Sequence, residues 1–210
     1  MRAASDSAES CATYCWSSAL RLVGCEDRKV EDFDPSQLPE DERAEIAVQI
    51  PVISAAWSFL EPFYVAGDLA AAWPSVDPLL RLCWAQWWLE ANASSLTATG
   101  YDVEEVAQAF VAQGDAHLLW EHFARVVLRD FRASFPLNPD TWGIGVFPRI
   151  LTLDTEVLYV HREQPEDGMW QPGATSEVVP LVMRLNGEHW RVLNLGYERI
   201  PSPGWPPALS

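Results

Sequence analysis

The sequence predicts an α+β fold, with a helical first half followed by a β-rich C-terminal half. Three observations carry this prediction. Asp77-Pro78 opens the long apolar stretch LLRLCWAQWWLEAN with the N-cap and first-turn chemistry of a helix start. Ala116 to Arg132 has the periodicity of an amphipathic helix. Glu177 to Tyr197 reads EVVPLVMRL-NG-EHWRVLNLGY, two apolar-rich runs joined by the Asn-Gly pair that a two-residue hairpin loop favours.

Taken in order, residues 1–42 mix Ser, Asp, Glu and Pro with few large apolar groups and read as an acidic, cysteine-bearing N-terminal extension. A first helix is expected from Glu42 to Ala66, interrupted near Pro51 and Pro62. Gly67-Asp68 restarts the chain into Leu69 to Trp73. The helix capped by Asp77 should end near Asn92, and its residues are apolar on almost every side, which marks a buried, central helix. Ser94 to Tyr101 reads as a loop and Asp102 to Gln113 as a short helix. After the break at Gly114, Asp115 is expected to cap the next helix. That helix sets Glu121, Arg125, Arg129 and Arg132 against a core face of Leu119, Trp120, Phe123, Val126 and Val127. Gly143 to Leu153 and Thr155 to Arg162 read as an antiparallel pair turning near Asp154. Gln164 to Ser176 is a long loop, and the Pro-rich tail 201–210 leaves regular structure. Residues 43–200 are expected to form one domain.

Composition narrows the function classes. The chain has 210 residues, 49% of them hydrophobic, enough for a sizeable core, and a formal net charge of −16. That charge argues against nucleic acid or an anionic membrane as the main partner. It fits a soluble cytoplasmic protein, or one that meets a basic protein partner. No run approaches the ~18 apolar residues a membrane span needs, and the acidic start is not a secretory signal. The cysteines Cys11, Cys15, Cys25 and Cys83 match neither a zinc knuckle nor a disulfide framework, so no metal or cofactor is implied. Cys83 reads as a small buried hydrophobe. The 11 tryptophans either fill a bulky core or line an aromatic cavity. No glycine-rich phosphate loop, nucleophile elbow or metalloprotease motif is present.

Two polar side chains fall on apolar faces. With Asn186-Gly187 as the loop, Leu185 faces Glu188, Met183 faces Trp190, Leu181 faces Val192 and Val179 faces Asn194. Asn194 then shares an apolar face with Val179, Leu181, Met183, Trp190 and Val192. Asp130 falls between Leu119 and Phe123 on the core face of its helix, where a carboxylate without a cation would have a raised pKa suited to acid or base work. The competing reading of Asp130 is an Asp that bonds backbone groups or escapes to solvent at the helix end. Tyr159 offers a phenolic donor. His117 and His122, five apart, read as surface-edge residues rather than ligands. Gln86 and Glu90 form the polar stripe of the tryptophan helix. A ligand pocket between helices and sheet would be walled by Trp84, Gln86, Trp87 and Trp88 with Met183, Trp190 and Val192.

Three stretches, VAGDLAAAWPSVDPLLRL, PLVMRLNGEHWRVLNLG and IPSPGWPP, resemble the NTF2-like (SnoaL-like) superfamily, the last being similar to the tail of many actinobacterial members. The resemblance implies a cone in which helices wrap a curved antiparallel sheet. The helix Asp102 to Gln113 departs from it, standing where many members place a short early strand. The superfamily holds cofactor-independent isomerases, cyclases, dehydratases and hydrolases beside non-catalytic binding modules. Its enzymes typically use an Asp, or an Asp/His pair, with Tyr or Asn donors, chemistry that Asp130, Asn194 and Tyr159 have. The expected function is binding of an apolar small molecule, with Asp130 as acid/base and Asn194 or Tyr159 stabilising an oxyanion if the protein is catalytic. The alternative is a non-catalytic acidic module that binds a basic protein or forms a homodimer through its sheet.

Overall fold

A computed structural model describes residues 39–138, 140–145, 148–163 and 177–209. The extension through residue 38, with Cys11, Cys15 and Cys25, and the predicted loop Gln164 to Ser176 lie outside them. The described residues form five α-helices packed on a curled antiparallel sheet, the α+β order that the sequence predicts.

The helices are α1 (Glu40–Leu60), α2 (Leu69–Ala72), α3 (Pro78–Ala98), α4 (Val103–Gln113) and α5 (Trp120–Ser134). Pro51 lies inside α1 without interrupting it. The carbonyl that Pro51 leaves without a helical donor belongs to exposed Ala47, where water can serve it, while Val52, Ile53 and Ala56 next to it anchor the helix in the core. Pro62 instead opens a wider π turn, Glu61–Ala66, that closes at Gly67 with φ 66°. Helix α3 starts as predicted, with Asp77 Oδ1 accepting from the Leu79 amide at 2.8 Å, but runs past Asn92 through the expected loop. Buried Leu96 supplies the packing that extends it. Asp102 caps α4 by accepting from the Glu104 and Glu105 amides. Asp115 does not cap α5; it sits in a 3-10 turn, and α5 begins four residues later than expected.

The strands are β1 (Gly143–Ile144), β2 (Arg149–Thr152), β3 (Thr155–His161), β4 (Val178–Asn186) and β5 (His189–Leu195). β1 and β2 both pair with β3, so the predicted Gly143–Leu153 strand is present in two pieces, and β4 and β5 continue the sheet. The free edge of β5 is covered by the chain before α3, where Val76 bridges to Val192 and the Asp77 amide donates to the Val192 carbonyl at 2.8 Å.

The predicted hairpin register needs two corrections. Asn186 pairs with His189, so the loop residues are Gly187 and Glu188 rather than Asn186 and Gly187. Gly187 takes the first loop position at φ 68°, a conformation that costs glycine nothing. Moving the loop by one residue moves each partner by two and so preserves the faces: Met183 now opposes Val192, and Leu185 opposes Trp190. The second correction changes a face. The register slips by one residue beyond Met183–Val192, leaving Leu193 extra and pairing Asn194 with Val182. Asn194 therefore lies on the outer face of the sheet, not beside Val179.

The main core joins both halves of the chain. Phe59, Phe63, Trp84, Phe110 and Phe123 from the helical half share one buried cluster with Leu158, Leu181, Met183 and Val192 from the sheet. A smaller cluster, Val157, Val182 and Leu193, lies on the outer face, with Leu79, Leu151 and Tyr159 packed around it. The Pro-rich tail is ordered: Ser202 and Ala208 exchange two backbone hydrogen bonds, closing a loop.

Candidate functional site

A cleft of about 180 Å³ opens between α3, α5 and the C-terminal tail, lined by Trp87, Asp130, Phe131, Ser134, Phe135, Tyr197 and Leu209. Its walls follow from local sequence. Asp130 and Ser134 are one helical turn apart and share a face of α5. Phe135, just past the end of that helix, is fixed at its carbonyl by the Tyr64 hydroxyl, which donates at 2.8 Å. Burial drives the Tyr64 phenol well above its ordinary range, so it remains a donor. The Phe135 ring lies where a Cβ on residue 196 would be, 2.1 Å from that position, so only glycine fits there. Gly196 has φ 84° and turns the chain so that Tyr197 meets Phe135 edge-on, with ring centroids 5.4 Å apart. Trp87 packs against Phe131 in the same manner at 5.8 Å.

Asp130 thus stands at the edge of the core face rather than within it. Its side chain is 35% exposed and accepts from Arg129 Nε, so the condition for a raised pKa, a carboxylate without a cation, is not met. What remains is a carboxylate with two hydroxyls, those of Ser134 and Tyr197, in an aromatic cleft. That set can hold an apolar body and bond one polar group on it.

The other predicted catalytic residues are not brought to Asp130. Asn194 is fully buried and its amide is spent on the chain itself: Nδ2 donates to the carbonyls of Arg199 at 2.8 Å and Leu209 at 2.9 Å, and Oδ1 accepts from the Leu195 amide. Tyr159 packs at the outer-face cluster and donates its hydroxyl to Glu198 Oε1 at 3.0 Å; Glu198 also pairs with Arg149. Burial, and then Glu198, raise the Tyr159 pKa.

Of the predicted pocket wall, Trp87 lines the cleft. Trp84 and Trp88 are core residues. Trp84 has the rings of Phe59, Phe63, Trp73 and Phe131 around it, and Trp88 has those of Phe110 and Phe123. Met183 and Val192 are fully buried in the same cluster, with Trp190 half-buried against it. Gln86 is buried with its Oε1 accepting from the Gly204 amide at 2.9 Å, so it too holds the tail. Aromatic rings surround Trp84 and Trp88, and Gln86 is taken up by the tail.

One carboxylate escaped the sequence reading. Glu156 lies on the inner face of β3, opposite Met183, between core residues that include Leu158. Its Oε2 is buried without a hydrogen-bond partner, and burial raises its pKa. The strict alternation of Glu156, Leu158 and Val160 was the signal. Cys83 is buried as predicted, its thiol pushed up to about 11, which makes it inert. His117 packs edge-on to Phe110, and burial lowers its pKa, while His122 is exposed. Among the described residues, no group of three or more His, Cys, Asp or Glu is arranged to hold a metal ion, and no helix is long and apolar enough to cross a membrane.

No protein family matches this sequence, no curated protein is significantly similar to it, and no solved structure significantly matches its fold.

Proposed function

We propose that this chain is a small-molecule-binding protein of the NTF2-like type, located in the cytoplasm, that takes an apolar ligand into the cleft between α3, α5 and the tail. The observation that carries the reading is Asp130, with Ser134 and Tyr197, set among Trp87, Phe131 and Phe135 in a concave site. The helices packed on a curled sheet, together with the three stretches quoted above, support the NTF2-like part. If the site is catalytic, Asp130 moves the proton, and the Tyr197 or Ser134 hydroxyl takes the oxyanion role expected of Asn194 or Tyr159.

Titration of the full chain with acetophenone, an apolar carbonyl probe, followed by tryptophan fluorescence, tests the reading. Saturable quenching is expected, weakened about tenfold in Trp87→Ala, the loss of one aromatic contact. Absent quenching, or equal quenching in both proteins, overturns it. The second reading, an acidic module for a basic protein, is favoured by the net charge of −16. It predicts capture of basic proteins that is lost with salt and indifferent to Trp87.

A further inference from the structure

We propose that Arg81, Arg184 and Arg191 form an oxyanion site on the outer face of the sheet, suited to a phosphate group and separate from the cleft. Arg184 and Arg191 are direct partners on β4 and β5, so their side chains share that face. Like charges directly opposite one another destabilise a sheet unless something lies between them. Arg184 is committed to Asp77, donating from Nε to Oδ2 at 3.0 Å and from Nη2 to Oδ1. Asp77 is fully buried and also caps α3, so its acceptor capacity is taken up.

Arg81 brings a third guanidinium from the first turn of α3. It donates from Nε to the Val76 carbonyl at 3.0 Å and from Nη1 to the Val111 carbonyl at 3.4 Å, and lies 5.3 Å from the centre of the Trp73 ring, contacts that hold it in place and carry no negative charge. Burial, then the charge of Arg191, lower its pKa, and Asp77 raises it, so this guanidinium feels both the neighbouring cation and the carboxylate that Arg184 holds. The other carboxylate that feels this group, Asp154, already accepts from the Thr152 and Thr155 hydroxyls. Three guanidiniums thus meet two engaged carboxylates. The half-buried Arg191 side chain makes no hydrogen bond or ion pair among the described residues. Among the described residues, the ion pairs of the other arginines, Arg129, Arg149 and Arg162, involve carboxylates elsewhere in the fold. A tetrahedral oxyanion offers enough acceptors to bridge several planar guanidiniums, and it removes the repulsion between them.

Thermal unfolding of the full chain in inorganic phosphate, against chloride at matched ionic strength, tests the site. Phosphate should raise the Tm with the logarithmic concentration dependence of a bound ligand, setting in near a Kd on the order of 1 mM. Arg191→Gln should weaken that response at least tenfold while leaving the Tm in chloride unchanged or higher, because it removes a repulsion. Arg125→Gln, on the exposed face of α5, should keep the full response. Each variant is its own reference, so a shift in basal Tm does not obscure the reading. The proposal is overturned by no phosphate response in the parent chain, by an unchanged response in Arg191→Gln, or by an equal loss in both variants. Phenyl phosphate distinguishes the occupant: a larger response than inorganic phosphate marks a phosphate monoester, and an equal one marks the free ion.

Discussion

Asp130, Asn194 and Glu156 are polar side chains at the margin of, or within, apolar surroundings, and each resolves differently. Asp130 is answered by Arg129 at the protein's edge and Asn194 by three backbone groups, whereas Glu156 Oε2 has no answer. Burial raises the Glu156 pKa above its ordinary 4.5. A group whose folded pKa is raised contributes stability when protonated, and loses it as pH climbs through the folded value. Glu156→Gln should therefore raise the Tm at pH 7, with the gain vanishing below pH 4.5, as thermal melts across pH would show. The buried His161 and the half-buried His117 act in the opposite sense. Burial lowers their pKa from 6.5, so they withdraw stability as pH falls below that value, and the Glu156 effect is best read as a difference between variant and parent. Much of this was open to a sequence reader. The alternation along β3 puts Glu156 on an apolar face, whereas helical angle put Asp130 on the core face and the structure sets it at that face's edge. The neighbour that neutralises Asp130 was not legible, because adjacent residues on a helix diverge and only the rotamers bring Arg129 back.

The tail is the element whose role differs most from its sequence. Pro and Gly spacing in IPSPGWPP rightly excludes helix and strand, yet it is silent on long-range partners. Asn194 bonds the tail at Leu209 and the chain leading into it at Arg199, Gln86 bonds the tail at Gly204, and Glu104 accepts from the Trp205 indole at 3.0 Å. The tail in turn delivers Leu209 to the cleft wall, so the site depends on buried amides that do not touch it. Asn194→Ala removes three hydrogen bonds and leaves their backbone partners unmatched, at a cost of about 2–4 kcal/mol. Urea denaturation should report that loss, and limited proteolysis should clip the tail first. An Asn194→Ala variant of parental stability would mean that the amide is not what holds the tail. The hairpin makes the same point about legibility. Parity fixed the faces of Met183, Trp190 and Val192 correctly even with the loop misplaced by one residue. A single bulge at Leu193, invisible in the residue pattern, then turned Asn194 over.

Across the whole molecule, the order of helices before strands was readable, because the apolar period changes from helical to alternating near Trp142. Less readable was how the tryptophans would be used. A sequence cannot distinguish rings that line a cavity from rings that fill one, since both need large apolar residues on inward faces. Here Trp73, Trp84 and Trp120 form a contiguous aromatic mass with Phe110, Phe123 and Phe131, and the sheet residues Leu181, Met183 and Val192 share its cluster. β5 also receives contacts from α1, from α3 and from the segment between α2 and α3. Neither half then has a core of its own to fall back on, and the two should unfold together. Helix loss by far-UV circular dichroism and exchange of the β3–β5 amides in urea should share one midpoint, and Trp84→Ala should shift both equally, corresponding to a stability loss of about 3–5 kcal/mol. Separate midpoints, or a Trp84→Ala effect confined to the helices, would show that the sheet closes over its outer-face cluster independently. The cleft would then sit at a boundary between two units rather than on the surface of one.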